Sequence, residues 1–413
     1  MNRRRQTGAI LIGESRRQVV ICAMARSPFG RFNGALADID ATHLAAQVID
    51  ALLVRAKIDP QEIDALYNGV GLAGAAMLSV TRQIVLRSTL HQATPSMGVD
   101  RACCSGMTAI AQAARDVATG LQDVAIAGGV ESLSNMPVFM PRRHGVRPGA
   151  MQLIDPLILG GSVVDRPIAA YSGEEALRFG VGREAQDQWA CESHRRYFKA
   201  DAAGCFDAER VPIKTGGRHG DMTHLARDES PRADSDIARL ASLKTVYASP
   251  TVTAGNAPGL SDGAAYVLVT TQDTALQKGW PILGRVVAYS QVAGGPTSGT
   301  STPAVALQQV LDVARLGLDD LVRLEINEAY AATPLVSTKV LAGDNREQLE
   351  RLRALTNPWG GAVALGHPLG ASGARLVMTV LSDFLKQGKG SRYGAAAICG
   401  GFGQGDALLL ASA

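Results

Sequence analysis

The sequence has no apolar run approaching the roughly 18 to 20 residues that cross a bilayer, so a helical membrane span is not expected. Charge of either sign is scarce: Asp, Glu, Lys and Arg make up 19% of the 413 residues, and the net charge is +3. So small an excess argues against nucleic acid as a partner. Cysteines are few and scattered, at positions 22, 103, 104, 191, 205 and 399. They form no disulfide framework and suit a reducing compartment, so a cytoplasmic protein is expected. No spacing of Cys and His fits a common zinc motif, and no metal is expected. The basic start, Met1-Asn-Arg-Arg-Arg, is not followed by the apolar core of a secretory signal, and residues 1–17 read as a basic N-terminal tail.

What is present is an alternation of strands and helices. Hydrophobic residues are 46% of the chain, as in a globular protein, and the length exceeds one ordinary core. Residues 18 to 24, 65 to 70, 95 to 102 and 123 to 129 read as buried strands. Helices at 42 to 57, 82 to 90 and 107 to 119 fall among them, with Thr42 as the expected N-cap of the first. Such alternation implies a parallel sheet with helices on both faces. From 136 to 250 prolines, arginines and acidic residues thicken, and this stretch reads as a cap over the working end of the sheet. The alternation resumes at 251, so the expected layout is 18–135 and 251–280 for one half, 136–250 for a loop or cap domain, and 281–413 for the second half. Asp123 to Gly129 echoes Gly394 to Gly401, and each follows a helix started by a small-residue turn. Two similar α/β halves follow, with Cys103 and His367 on corresponding turns although far apart in the chain.

The densest chemistry lies in Asn357-Pro-Trp-Gly-Gly-Ala-Val-Ala-Leu-Gly-His367-Pro-Leu-Gly-Ala-Ser-Gly373. Gly360, Gly361 and Gly366 allow sharp turns, and Pro368 suits a helix start. His367 therefore sits at a strand-to-helix turn beside unpaired N–H groups, where it can take a thiol proton or bond an oxyanion. Cys103 is expected where a strand enters a helix, its thiol made acidic by the helix N-terminus and a nearby histidine. Cys399 ends a strand with glycines at 400, 401, 403 and 405 and can serve as an acid/base. Redox pairing of Cys103 with Cys399 is the weaker alternative. Asn327 follows a buried strand, and it either lines an oxyanion site or caps a helix starting at Glu328.

Together these motifs resemble the thiolase family, the acetyl-CoA acetyltransferases and 3-ketoacyl-CoA thiolases. The resemblance runs from Gln18 to the C-terminus. It rests on Cys103-x-Ser-Gly, Gly128-Gly-Val-Glu-Ser-Leu-Ser, Thr253-Ala-Gly-Asn-Ala-x-Gly, Asn327-Glu-Ala-Tyr (family form Asn-Glu-Ala-Phe), the Gly-His367-Pro block and Cys399-x-Gly-x-Gly, in family order. It implies an α/β thiolase-like fold: two similar βαβαβαββ halves in a layered α/β/α/β/α core, with an inserted loop domain. It implies reversible thiolytic cleavage of 3-ketoacyl-CoA, or Claisen condensation of acyl-CoA with acetyl-CoA, in fatty-acid metabolism of the β-oxidation type. Cys103 would be the acyl-accepting nucleophile, His367 its activator, and Cys399 the acid/base at the acetyl carbon. Asn327 with a water, and His367, would line one oxyanion site; the backbone N–H groups of Cys103 and Gly401 would form another. Arg232, Leu243, Val246, Tyr247, Gly259 and His367 are the implied contacts of acyl-CoA and coenzyme A, which is a substrate and not a cofactor. A homodimer or homotetramer is implied as well. Pro258 stands where the family has serine, no His-Met-Gly appears near Ile168-Ala-Ala170, Cys104 replaces a smaller residue, and Asp100 replaces asparagine. A ketoacyl-synthase-like condensing enzyme, a non-catalytic acyl-CoA-binding protein and a cysteine hydrolase are the competing readings.

Overall fold

The computed structural model describes residues 8–13, 17–72, 74, 78–140, 149, 153–158, 163–216, 222–388, 390 and 392–413. A short strand β1 (Ala9–Leu11) precedes β2 (Val19–Arg26), which is buried along its whole length, and β3 (Gly30–Arg31). Helix α1 (Ala41–Ala56) is capped by Asp40, whose carboxylate accepts the N–H groups of Thr42 and His43. The cap is thus Asp40 and not Thr42, because only the residue before the first turn can point its oxygen back at those amides. Strand β4 (Ala65–Gly69), helix α2 (Val80–Arg87), strand β5 (Ser96–Val99), helix α3 (Ser105–Thr119) and strand β6 (Val124–Ser132) follow.

The stretch with thin strand signal holds helices α4 (Ile168–Arg178) and α5 (Arg183–Ala202), a hairpin of β7 (Ile213–Gly216) and β8 (Met222–Leu225), and helix α6 (Ile237–Ser242). Strand β9 (Ser261–Thr271) and helix α7 (Gln272–Lys278) lead into the second half. That half contains β10 (Gly284–Ala293), α8 (Thr302–Ala314), β11 (Leu321–Ile326), α9 (Ala332–Ala342), α10 (Arg346–Leu355), α11 (Ala362–Leu365), α12 (Leu369–Gln387), β12 (Tyr393–Gly400) and β13 (Gln404–Ala411).

The strands run β11-β12-β13-β10-β2-β9-β6-β4-β5 across one mixed sheet, with β1 beside β10 and β3 beside β9. Read outward from the β10–β2 junction, the two halves repeat one order: β2-β9-β6-β4 on one side, β10-β13-β12-β11 on the other. Residues 9–11, assigned to the tail by sequence, are a strand antiparallel to β10, which supplies the backbone partners their side chains could not signal.

Side chains alternate between faces along each strand, and the alternation sorts them into separate cores. Ala396 and Ile398 of β12 join α3 and α12, whereas Ala395 and Ala397 join α8 and α10. On the first half, Val20 and Cys22 of β2 face α1, while Val19 and Ile21 face the interior. Helices α3 and α12 thus lie between the halves, with α1 and α8 on the outer faces, giving the five layers of a thiolase-like α/β fold.

The two central helices meet backbone to backbone. A Cβ on Gly106 would lie 2.3 Å from the Gly370 carbonyl oxygen, and one on Gly373 would lie 2.6 Å from the Met107 nitrogen. Neither neighbour is a flexible side-chain tip. Gly106→Ala is therefore expected to force the helices apart and cost about 1–3 kcal/mol as an overpacking change, read as a lower urea midpoint together with loss of the chemistry described below.

Candidate active site

Helices α3 and α12 each begin two residues after a candidate catalytic side chain, Cys103 and His367. The close helix crossing brings both turns to one cavity of about 780 Å³, which Cys103, His367 and Cys399 line together.

The His367 loop is anchored from three sides. Asn357 accepts the Ile326 N–H at 2.9 Å and donates to the Ile326 carbonyl at 2.8 Å, tying the loop to the end of β11. Glu328 accepts bonds from Trp189, Ser193, Asn357 and the Val363 N–H. The His367 N–H donates to Ser261 Oγ at 3.1 Å. On the ring, Ser372 gives its hydroxyl hydrogen to the Pro368 carbonyl at 2.9 Å, so its oxygen accepts from His367 Nδ1 at 2.6 Å. Nε2 is left with the lone pair, as a base requires. Burial, with the Arg375 guanidinium nearby, holds the imidazole down at about 3, so it is neutral across the physiological range.

Asn327 Nδ2 lies 3.4 Å from His367 Nε2, and its Oδ1 is buried without a hydrogen-bond partner among the described residues. In either orientation of the amide, one polar atom stays spare beside the histidine. The capping alternative is excluded: α9 starts at Ala332, after Ala331, so no helix begins at Glu328.

Cys103 follows Ala102, which adopts a left-handed φ of 50°. Ser105 Oγ holds this turn, accepting the Arg101 N–H at 2.8 Å and lying 2.7 Å from the Ala102 carbonyl. The Cys103 and Gly401 backbone N–H groups act to lower the Cys103 thiol, favouring its anion. They are outweighed. Burial first, then the neighbouring Cys399 and Glu131, push the Cys103 thiol well above its ordinary value. The expected acidic thiol is therefore corrected: the resting pair is a neutral thiol and a neutral imidazole. Burial likewise pushes Cys399 up to about 12, with Glu175 adding to it, while its own N–H and the Thr333 hydroxyl act the other way. Cys104 is a core residue at the helix start and packs against Ile398 and Gly400. All six cysteines are free thiols.

A second cavity of about 500 Å³ is lined by Arg232, Leu243 and Gly259, together with Arg31 and Arg239. Gly259 and Leu260 line both cavities, so the two adjoin, and Tyr247 lies on the catalytic side. Val246 lines neither; it is half-buried and its N–H bonds Val252. The Arg232 N–H donates to His194 Nδ1 at 3.1 Å. Of the departures from the family pattern, Pro258, Ile168 and Asp100 line the catalytic cavity, whereas Cys104 lies in the core.

Several contributors were not singled out from sequence. Ser372, which orients the imidazole, lies inside the histidine motif, five residues on. Glu131 lies in Gly128-Gly-Val-Glu131; it accepts from the Gly71 N–H at 2.7 Å and the Gly370 N–H at 2.9 Å, joining the loop after β4 to the start of α12. Burial pushes its carboxyl up to about 7. Tyr171 and Tyr330 also line the cavity. No composition signal separates these from structural polar residues.

Among the described residues no cluster of three or more His, Cys, Asp or Glu side chains is placed to hold a metal ion, and no helix is long and apolar enough to cross a membrane. A family profile described as "Thiolase, N-terminal domain" matches residues 19–273, and one described as "Thiolase, C-terminal domain" matches residues 280–412. The chain is 38% identical over 401 residues to a beta-ketoadipyl-CoA thiolase of Acinetobacter baylyi, covering 93% of this chain and 97% of that protein. It is 35% identical over 398 residues to an acetyl-CoA acetyltransferase of Pseudomonas aeruginosa, covering 95% and 99%. The solved structure of the Bacillus anthracis acetyl-CoA acetyltransferase superposes with a TM-score of 0.90 at 32% identity, covering 97% of this chain and all of that one. Human mitochondrial 3-ketoacyl-CoA thiolase superposes at 0.89 and 31%, covering 98% and 100%.

Two outcomes follow from the protonation states. Alkylation of Cys103 by iodoacetamide, read by mass spectrometry of its peptide, is expected to keep accelerating above pH 9; a plateau below pH 7 would reveal a preformed thiolate–imidazolium pair instead. His367 is held near 3 when folded but titrates at its ordinary 6.5 when unfolded. Only the unfolded state gains its proton between these values, so stability is full above pH 6.5 and falls as the pH drops toward 3. Urea midpoints of the protein and of a His367→Asn variant check this, the variant showing the shallower acid loss.

Proposed function

The chain belongs to the thiolase family and is an acyl-CoA C-acyltransferase, and from that premise we propose that Cys103, His367, Cys399 and Asn327 carry its reaction. The observation behind this reading is the convergence of two free thiols and a neutral imidazole on one cavity, with two backbone N–H groups at the nucleophile.

In the cleavage direction, Cys103 passes its proton to His367 Nε2 as its sulfur attacks the 3-oxo carbon. The alkoxide meets the N–H groups of Cys103 and Gly401. The bond between carbons 2 and 3 then breaks, leaving the acyl group on Cys103 and an enolate whose oxygen faces the protonated His367 and Asn327 with a water it holds. Cys399 gives its proton to the enolate carbon, releasing acetyl-CoA. Free coenzyme A yields its thiol proton to Cys399 and attacks the thioester, and the departing Cys103 sulfur recovers its proton from His367. Condensation runs the same steps backward.

Coenzyme A acts as a substrate and no cofactor is required. Its phosphates would meet Arg31, Arg232 and Arg239 in the adjoining cavity, a setting that suits charge-assisted bonds. The pantetheine arm would pass Leu243, Gly259 and Tyr247; Val246 shapes the turn behind it, and His367 ends the path. Pro258 has no N–H and no hydroxyl to offer the arm. The ketoacyl-synthase-like and non-catalytic readings are not favoured. The six free thiols suit a cytoplasmic enzyme. Among the described residues strand β5 pairs only with β4, and Met97 on it is 47% exposed. Such an open edge favours a homodimer, or a homotetramer built from it.

Mixing the protein with free coenzyme A and either acetoacetyl-CoA or a longer 3-ketoacyl-CoA is expected to consume the 3-ketoacyl thioester. The apolar lining, with Leu72, Leu133, Ile168 and Phe402, favours the longer chain. Loss of neither thioester would overturn the reading. Cys103→Ala is expected to form no acyl-enzyme. Cys399→Ala should still acylate on Cys103 but lose about 10²–10⁴-fold in the carbon–carbon step, separable by mass spectrometry of the acyl-enzyme alongside steady-state turnover.

A further inference from the structure

The assignment of Cys399 above, on which this inference rests, leaves a charge to be held. The proton given to the enolate carbon breaks the Cys399 S–H bond and leaves a thiolate until incoming coenzyme A supplies its thiol proton. Burial and Glu175 both disfavour that anion, and among the described residues no positively charged side chain acts on it. A thiolate in such a place requires donors. Its own backbone N–H is one, and the side-chain group that acts in the same sense is the Thr333 hydroxyl.

Thr333 is carried there by the chain that leaves β11. That strand runs parallel to β12 with Ile326 opposite Ala397, and the Asn327 N–H donates to the Ala397 carbonyl at 2.9 Å, two residues before Cys399. The Ala331 N–H then donates to the Asn256 carbonyl and the Thr333 N–H to the Tyr330 carbonyl, both at 2.9 Å, fixing the first turn of α9. Thr333 and Cys399 line the same cavity, and Thr333 is 0% exposed. Elsewhere on the helices Thr338, Ser372 and Thr379 give their hydroxyl hydrogens to the carbonyl four residues back. Thr333 finds no such carbonyl, because the residue four back, Ala329, precedes the helix. Its hydroxyl is buried with no partner at full hydrogen-bond geometry among the described residues. A group left this way costs stability, so its retention calls for a partner that exists only during turnover. Tyr171 and Thr300 also line the cavity with unpaired hydroxyls, but neither is among the donors acting on Cys399.

We propose that Thr333 is a positioning residue for the carbon acid/base step: its O–H donates to the Cys399 sulfur each time that sulfur becomes a thiolate. The neutral thiol is a weak acceptor, whereas an ionised sulfur takes a charge-assisted bond. Asn327 and Thr333 thus serve two groups from one segment, the first beside His367 and the second beside Cys399. Acylation of Cys103 by a donor whose leaving group needs no proton does not form the Cys399 thiolate, so the two steps can be read apart.

The test compares the whole enzyme with Thr333→Val, which keeps the shape and removes the hydroxyl, and with Thr333→Ser, which keeps the hydroxyl. Exchange of the acetyl-CoA methyl protons with deuterated water, at saturating acetyl-CoA, reports the Cys399 step. Acetylation of Cys103 by S-phenyl thioacetate, whose thiolate leaves without a proton, reports the nucleophile alone and is read by mass spectrometry. Thr333→Val is expected to slow deuterium exchange about ten- to a hundredfold, the worth of one hydrogen bond to a charged group, and Thr333→Ser less than about threefold. Acetylation should change less than about threefold in both variants. The thermal midpoint of Thr333→Val should be no lower, because the lost hydroxyl has no partner in the resting protein. Exchange that Thr333→Val leaves unslowed, Thr333→Ser as slow as Thr333→Val, equal slowing of exchange and acetylation, or a large loss of thermal midpoint would overturn the proposal. So would a defect confined to KM for acetyl-CoA, which would put the hydroxyl on the substrate. If the unmodified enzyme is acetylated on Cys103 but exchanges no deuterium, the Cys399 assignment falls and this inference with it. If it does neither, the assignment of Cys103 falls as well.

Discussion

The catalytic geometry depends on one contact, the crossing of α3 over α12. Gly106 and Gly373 have no side chains there, so each helix backbone approaches the other more closely than any Cβ would permit. Cys103 and His367 are carried on the turns that start these helices. Their separation is thus set by a rigid backbone contact, which is how a site is held to the sub-ångström tolerance that chemistry demands. Glu131 reinforces the crossing by accepting the Gly370 N–H on one side and the Gly71 N–H on the other.

The same crossing places Cys399 and His367 among buried groups, and burial dominates their electrostatics. A helix N-terminus contributes typically 0.3 to 1 kcal/mol, less than one pK unit at about 1.4 kcal/mol each. Burial moves Cys399 from its ordinary 9.0 to about 12, a larger effect than that dipole can oppose. Both thiols and the imidazole are uncharged at rest, and charge appears only as bonds are made and broken. Donors aimed at the nucleophile then act where solvent screening is weak, which is the condition under which preorganised N–H groups count most. The spare amide atom of Asn327 fits this picture: polarity is left unpaired in the resting protein, beside the place where charge develops.

Much of this was legible in the chain. Strands and helices alternate in hydrophobic periodicity because each must bury one face, and β4 (Ala65–Gly69) falls within the 65 to 70 that its sequence predicts. The histidine block, Cys103-x-Ser-Gly and Cys399-x-Gly-x-Gly were readable because tight turns need small residues and reactive groups need a base or an acid nearby. Other features were not readable. Ala9–Leu11 pairs with β10 through main-chain bonds that no side chain announces. Asn327 looked as much like a helix cap as an oxyanion group, until the next helix proved to start at Ala332. Val246, a contact implied by the family resemblance, lines neither cavity.

The division has a physical cause. Which residues lie at a turn, which carry a nucleophile and which repeat at a strand or helix period are properties of neighbours along the chain, and the sequence by itself determined them. Which turns meet, which strand borders which, and whether a thiol rests as an acid or an anion are sums over groups far apart in the chain. A tail strand, a base tautomer set by Ser372 and a thiol raised by its burial exist only once the halves have closed on each other, so only the tertiary structure decided them.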